Sequence, residues 1–192
     1  NNIQGDIVQF SGWQLEKKPY ATSFVDGTRA GETLTIPTAG VFNKGNWTIE
    51  FWFEPKSKQN VIINNFFDIF IDENNRYEIR TIESGVLQAV VWSDGVAAWV
   101  STPFALQVDT KYSIAISGDG STLKLYVNGS LINNVTYTEP VGNLPTNIYI
   151  GCASTGIRWA NGFFDDLRIS SRARTDEEIA EWYNANKPLI PD

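Results

Sequence analysis

Histidine is absent from this chain, and that absence excludes more chemistry than any other feature of the sequence. Ser–His–Asp triads, Cys–His dyads and His-ligated metalloprotease sites all depend on an imidazole that titrates near neutrality. Cysteine occurs once, at Cys152, so no internal disulfide can form and zinc cannot gather its usual ligands. A metal here would have to be held by oxygens. Basic residues are scarce: 15 Lys and Arg stand against 22 Asp and Glu, a net charge of −7. Nucleic acid, whose binding rests on cations neutralising phosphates, is therefore not an expected partner, and neither is an anionic lipid surface. No apolar run approaches the ~20 residues of a transmembrane helix, so membrane insertion is not expected. Methionine is missing as well, so Asn1 is not a translation start. The sequence is expected to be a mature or excised piece of a longer chain with neighbouring domains.

What the chain does have favours sheets. Aromatic residues make up 13% of it and charged residues only 19%, a balance that suits half-buried pleated surfaces. The middle reads as an antiparallel meander. An apolar run over 62–71 ends at the turn-prone Asp72-Glu73-Asn74-Asn75. Residues 76–83 then alternate, with Tyr77, Ile79 and Thr81 opposite Glu78, Arg80 and Ile82. Ser84-Gly85 and Asp94-Gly95 turn the chain into strands at 86–92 and 96–102, and Asp-Gly between apolar strands is a strong hairpin signal. Strands at 111–117 and 123–127 follow, and Asn128-Gly129 suits a type I′ turn into a return strand from Ser130. Short strands with turns every ten residues or so indicate a sandwich or barrel. Only the end reads as helix. Thr175 and Glu178 match a capping box, Ile179, Trp182 and Tyr183 share a face, and Pro188 stops the run.

Three segments, in order, carry a family resemblance. The strand Asn46-Trp47-Thr48-Ile49-Glu50-Phe51-Trp52-Phe53-Glu54-Pro55 is similar to the opening core strand of laminin-G-like domains. The pair Tyr112-Ser113-Ile114-Ala115-Ile116 and Leu123-Lys124-Leu125-Tyr126-Val127-Asn128-Gly129 resembles that family's central hairpin, with Tyr112 where Trp is usual. Ile148-Tyr149-Ile150-Gly151, then Gly162-Phe163-Phe164-Asp165-Asp166-Leu167-Arg168-Ile169, resembles its closing strands. The resemblance spans roughly residues 20 to 185 and points to the bacterial and phage laminin-G-type branch of the concanavalin A-like lectin/glucanase superfamily. It implies one all-β domain over 1–192: a two-sheet antiparallel jelly-roll sandwich with a short C-terminal α-helix.

The resemblance also frames the candidate sites. The superfamily's glucanases use a Glu-x-Asp-x-Glu strand, but in Glu50-Phe51-Trp52-Phe53-Glu54 the central acid is Trp52. Glu50 and Glu54 would stand about 13 Å apart at strand rise, too far for a retaining pair. They are expected to be solvent-facing strand carboxylates, and the chain is not expected to be an enzyme. Asp165 and Asp166 are adjacent and so project to opposite faces of a strand. The resemblance implies that Asp165 ligates a structural Ca²⁺ together with the segment holding Asp26, Thr28 and Gly31, the alternatives being an Asp–Arg pair or a capped strand end. Trp92 and Trp99 flank the Asp94-Gly95 turn; if 93 pairs with 96, both lie on one sheet face. Trp159 sits beside Arg158 in a glycine-bounded loop, where function concentrates. Trp92, Trp99, Arg158 and Trp159 are thus the expected ligand-binding residues, whereas Trp47 and Trp52 are assigned to the core. The implied function is a non-catalytic module of a larger extracellular, cell-surface or virion protein that binds a polysaccharide or cell-surface glycan. The net negative charge favours a neutral one. The alternative is a purely structural domain of a phage tail or bacterial surface protein.

Overall fold

The computed structural model describes residues 7–10, 34–57 and 63–187. Twelve strands are described: β1 (Ile7–Phe10), β2 (Leu34–Pro37), β3 (Trp47–Pro55), β4 (Ile63–Asp72), β5 (Asn75–Ile82), β6 (Val86–Ser93), β7 (Val96–Ala105), β8 (Tyr112–Gly118), β9 (Thr122–Val127), β10 (Ser130–Thr136), β11 (Asn147–Ile150) and β12 (Gly162–Ser170). One helix, α1 (Asp176–Asn186), follows. The strands form two antiparallel six-stranded sheets, in the order β1-β12-β3-β8-β9-β10 (sheet A) and β2-β11-β4-β5-β6-β7 (sheet B). No helix of the described residues is long and apolar enough to cross a membrane.

The expected turns are present, for the expected reason. Asp94 and Gly95 have φ of 47° and 79°, and Asn128 and Gly129 have φ of 51° and 74°. A type I′ turn needs positive φ at both central residues, and these residue types tolerate it. The turn at Asp94-Gly95 sets Ser93 opposite Val96 and Val90 opposite Trp99. Gly129 has a second duty, because a Cβ there would come within 2.9 Å of the Tyr183 ring.

Between the sheets the core is dense with aromatics. Phe51, Phe53, Phe66, Phe67 and Phe164 form one cluster, with Phe53 and Phe66 ring centroids 4.4 Å apart and Phe53 and Phe164 4.9 Å apart. Phe66 and Phe67 are consecutive yet both buried, which period-two alternation forbids. A register shift between Asn65 and Phe67 resolves it, since a bulge turns both rings inward. Trp47 joins this core against Phe42 and Tyr77.

Trp52 is buried too, but on the other face of sheet A. There α1 covers the sheet, and Trp52 packs against Trp182 and Tyr183 at ring-centroid distances of 6.2 and 5.8 Å. Under the same cover Glu50 is only 1% exposed, not solvent-facing. Its Oε2 accepts from Arg168 Nη2 at 2.9 Å and lies 3.0 Å from Arg174 Nε. Burial pushes the Glu50 pKa up against the pull of the two arginines. Glu54 is partly exposed and pairs with Lys56. The layers therefore run helix, sheet A, aromatic core, sheet B, with the outer face of sheet B on the side away from the helix.

The helix begins as its sequence requires. The Thr175 side chain accepts from the Glu178 backbone N–H, and Glu178 accepts from the Thr175 backbone N–H in return. Arg172 also grips Glu178, and these bonds draw its pKa from the ordinary 4.5 down to about 2. A depressed carboxylate stabilises the fold above its unfolded pKa and loses that contribution as pH falls through its folded value. Glu178 is a third exposed, so solvent screens the effect. The expected result is a modest loss of melting temperature between pH 4.5 and about 2 that Glu178→Gln removes. Parallel acid melts of the two proteins that superimpose after a constant offset would contradict it.

Candidate functional site

Cross-strand registers build the outer face of sheet B as a grid. One row runs Asn65, Arg80, Gln88, Ser101; the next runs Tyr149, Asp68, Glu78, Val90, Trp99; the third runs Phe70, Arg76, Trp92, Ala97. All lie opposite the core residues Tyr77, Ile79, Ala89, Val91 and Val100. Trp92 and Trp99 therefore share this outer face.

The loop after β11 closes the far side of the grid. Gly151 N–H donates to Phe66 O at 2.8 Å, Ser154 N–H to Asp68 Oδ2 at 2.7 Å, and Asn65 N–H to Arg158 O at 2.7 Å. Ala160 N–H returns to Gly151 O at 2.9 Å, pinching the loop shut. Trp159 pairs with Asn65 through an isolated parallel bridge, as though it began another strand. Arg158 and Trp159 are thus fixed beside the same face as Trp92 and Trp99, although more than fifty residues separate them in sequence. Arg158 has φ of 62°, a left-handed conformation costly for a side chain of this kind and held here by the surrounding bonds.

The floor of this face is polar and buried. Asn65, Asp68 and Glu78 are 0, 3 and 3% exposed. Glu78 Oε2 accepts from Arg80 Nη1 at 2.9 Å and lies 3.4 Å from Arg76 Nε, while Oε1 accepts from Asn65 Nδ2 at 3.3 Å. Arg80 Nε reaches Gln88 at 3.4 Å. Arg76 lies over the Trp92 ring, 4.7 Å from its centroid. Burial pushes the Arg80 pKa down; Glu78 opposes this, and the nearby charges of Arg76 and Arg158 add to it. Asp68 is pushed up by burial, with Ser154 opposing and Glu78 adding. Among the described residues, Asn65 Oδ1, Asp68 Oδ1 and Trp92 Nε1 are buried without hydrogen-bond partners. The rim, by contrast, is open: Trp99 is 55% and Trp159 42% exposed.

This geometry sorts the expected ligand residues. Trp99 and Trp159 present exposed rings. Trp92 is half-buried, with the Arg76 guanidinium over one face of its ring. Asn65, Asp68, Glu78 and Arg80 were not expected at the site. The alternation of Glu78 and Arg80 with Tyr77 and Ile79 gave their face but not their burial.

The expected calcium ligands fare differently. Asp26, Thr28 and Gly31 lie outside the described residues. Asp165 Oδ2 accepts from Lys111 Nζ at 3.0 Å and Oδ1 from the Asp166 N–H at 3.0 Å. The two acids occupy a register shift between Asp165 and Arg168, with Asp166 at φ 46°. Among the described residues, no group of three or more acidic or cysteine side chains gathers to hold a metal. The described residues alone do not compose a calcium site, and an ion at Asp165 would have to displace Lys111.

Asp68 and Glu78 are direct cross-strand partners, with Cβ atoms about 5 Å apart by strand geometry. That spacing suits paired-carboxylate hydrolysis, but Glu78 is clamped by two arginines and an asparagine. A cleft of about 550 Å³ lies elsewhere, lined by Phe42, Lys44, Glu139 and Leu144. Its Lys44 is already committed to Pro140 O, Gly142 O and Glu139, so the chemistry favours the sheet B face.

Residues 25–180 match the family profile described as the concanavalin A-like lectin/glucanases superfamily. No curated protein sequence matches the chain. Among solved structures, the botulinum neurotoxin serotype D binding domain is similar, with a TM-score of 0.67 at 14% identity, covering 82% of this chain and 41% of that one. The botulinum neurotoxin type G receptor binding domain gives 0.58 at 18%, covering 73% and 38%. Domain 4 of an extracellular arabinanase from Geobacillus stearothermophilus, in complex with arabinotriose, gives 0.58 at 17%, covering 71% and 66%. The chain thus spans about two fifths of the toxin binding domains. At these identities the likeness is one of fold.

Proposed function

The chain belongs to the concanavalin A-like lectin/glucanase superfamily, and we propose that it is a non-catalytic glycan-binding module whose site is the outer face of sheet B. The observation that carries this reading is the pair of exposed rings, Trp99 and Trp159, flanking a buried polar floor with unpartnered acceptors and donors. A sugar ring has apolar faces and a hydroxyl rim, so it can stack on such rings while its hydroxyls meet the half-buried Gln88 and Ser101 above the floor. From β7 to the strand-like position of Trp159 is four strand intervals, about 19 Å, room for a short oligosaccharide. The arabinotriose-bound relative and the toxin binding domains support the same reading. We place the module in a larger extracellular or phage protein.

The test is a glycan array followed by affinity measurement on Trp99→Ala and Trp159→Ala. Either substitution should weaken binding about thirtyfold, the usual effect of a tryptophan that loses about 2 kcal/mol of contact. Both side chains are exposed, so melting should change little. A blank array, or variants that bind like wild type, would overturn the proposal. The clamping of Glu78 by Arg76, Arg80 and Asn65 leads us to expect no release of reducing ends from any glycan retained.

The assembly alternative has one observation in its favour. β7 and β10 are the last strands of their sheets, and exposed Val96, Phe104 and Leu131 lie along them. Self-association in sedimentation, together with a blank array, would select it.

A further inference from the structure

We infer that the sheet B face takes a carboxylated sugar, a uronate or a sialic acid, with Arg158 as the residue that receives the carboxylate. This rests on the glycan-binding reading and names its ligand class. The chain is acidic overall, with a net charge of −7, but charge is not evenly spread. Arg76, Arg80 and Arg158 stand on this one face, and two of the three are already used. Arg80 is bound to Glu78 and Gln88, and Arg76 to Glu73 O and Glu78 and over the Trp92 ring. Arg158 is exposed, and none of the described residues hydrogen-bonds or ion-pairs with its guanidinium.

Several features make Arg158 a built element rather than a stray surface charge. Its backbone is held in the left-handed region, and its carbonyl is bonded to Asn65 on the sheet. It immediately precedes the exposed ring of Trp159. A sugar stacked on Trp159 would therefore bring a ring substituent next to the guanidinium, whose fork matches a carboxylate in two parallel hydrogen bonds. The carboxylates of this face do not compete. Glu78 is buried beneath its arginines, and Asp68 is buried with Ser154 on one oxygen. The exposed acids Asp72, Glu73 and Asp94 belong to the turns at the opposite end of the strands, and Glu83, in the β5–β6 turn at the near end, has no hydrogen bond or ion pair to Arg158. At physiological salt the screening length is about 8 Å, so the distant acidic surface acts on the ligand far less than Arg158 does.

The experiment uses two matched pairs as probes: trigalacturonate with its methyl ester, and 3′-sialyllactose with its methyl ester. Each pair shares its rings and differs in the carboxylate. Calorimetry on wild type should show at least one acidic member binding about ten- to a hundredfold tighter than its neutral match. In Arg158→Gln, checked for an unchanged melting temperature, that ratio should fall close to one. The pair that shows the preference separates uronate from sialic acid. Equal binding within both pairs, or a preference that survives Arg158→Gln, overturns the carboxylate assignment and leaves the glycan reading standing. Failure of all four probes together with a blank array overturns both.

Discussion

Phe53→Ala should lower the free energy of unfolding by about 3–5 kcal/mol, the usual loss for a fully buried phenylalanine. Phe53 is 0% exposed and touches the cluster from both sheets, meeting Phe66 on β4 and Phe164 on β12. Its ring also lies against Gly162, where an added Cβ would come within 2.5 Å of Phe53 Cζ. The ring is therefore enclosed by aromatics on one side and by backbone on another. The backbone cannot collapse freely into the space left by truncation, because β3 is paired on both sides, to β12 and β8. Against a total stability of about 5–15 kcal/mol, the loss is large enough to leave part of the population unfolded on mild heating. Urea unfolding should show a lower midpoint with an unchanged slope, the mark of lost stability in an intact two-state fold. A change under about 1 kcal/mol would mean that the cluster is not the packed centre of the sandwich.

Much of this architecture was legible in the sequence because it is written locally. The Asp94-Gly95 and Asn128-Gly129 turns, the alternation over residues 76–82 and the Thr175/Glu178 box each specify a short stretch by rules that act within a few residues. What escaped was set by contacts distant in sequence. Glu50 reads as a solvent-facing strand carboxylate, and α1, more than a hundred residues later, covers it. Asn65 sits in a run that reads as apolar, and only the bulge beside it sends Phe66 and Phe67 inward while leaving Asn65 with Glu78. The shared face of Trp92 and Trp99 follows from the turn. The closeness of Arg158 and Trp159 to that face depends on a loop that returns to β4, for which no local signal exists. Net charge is legible in the sequence but is a sum over the chain, whereas a ligand meets one face, and the placing of Arg76, Arg80 and Arg158 together is set by the fold.

Trp182→Ala should also cost about 3–5 kcal/mol, but through a different layer. Trp182 is 6% exposed; its ring packs against Trp52, and Arg168 lies 5.0 Å from its centroid. Truncation would uncover Trp52 and open the roof over Glu50, Arg168 and Arg174, letting water reach a buried ionic cluster. An eleven-residue helix is marginal without tertiary packing, so α1 should loosen first. Amide exchange should accelerate across residues 176–186 more than in β4, β5 and β6, whose bonds lie beyond the aromatic core. Sheet B and its outer face are on the far side of that core, so glycan affinity measured below the melting transition should stay within about twofold of wild type. Phe53→Ala, acting at the core shared by both sheets, should loosen both together. If Trp182→Ala weakened glycan binding as strongly as Trp159→Ala, the helix side and the ligand side would be coupled, and the layered separation of stability from recognition would be wrong.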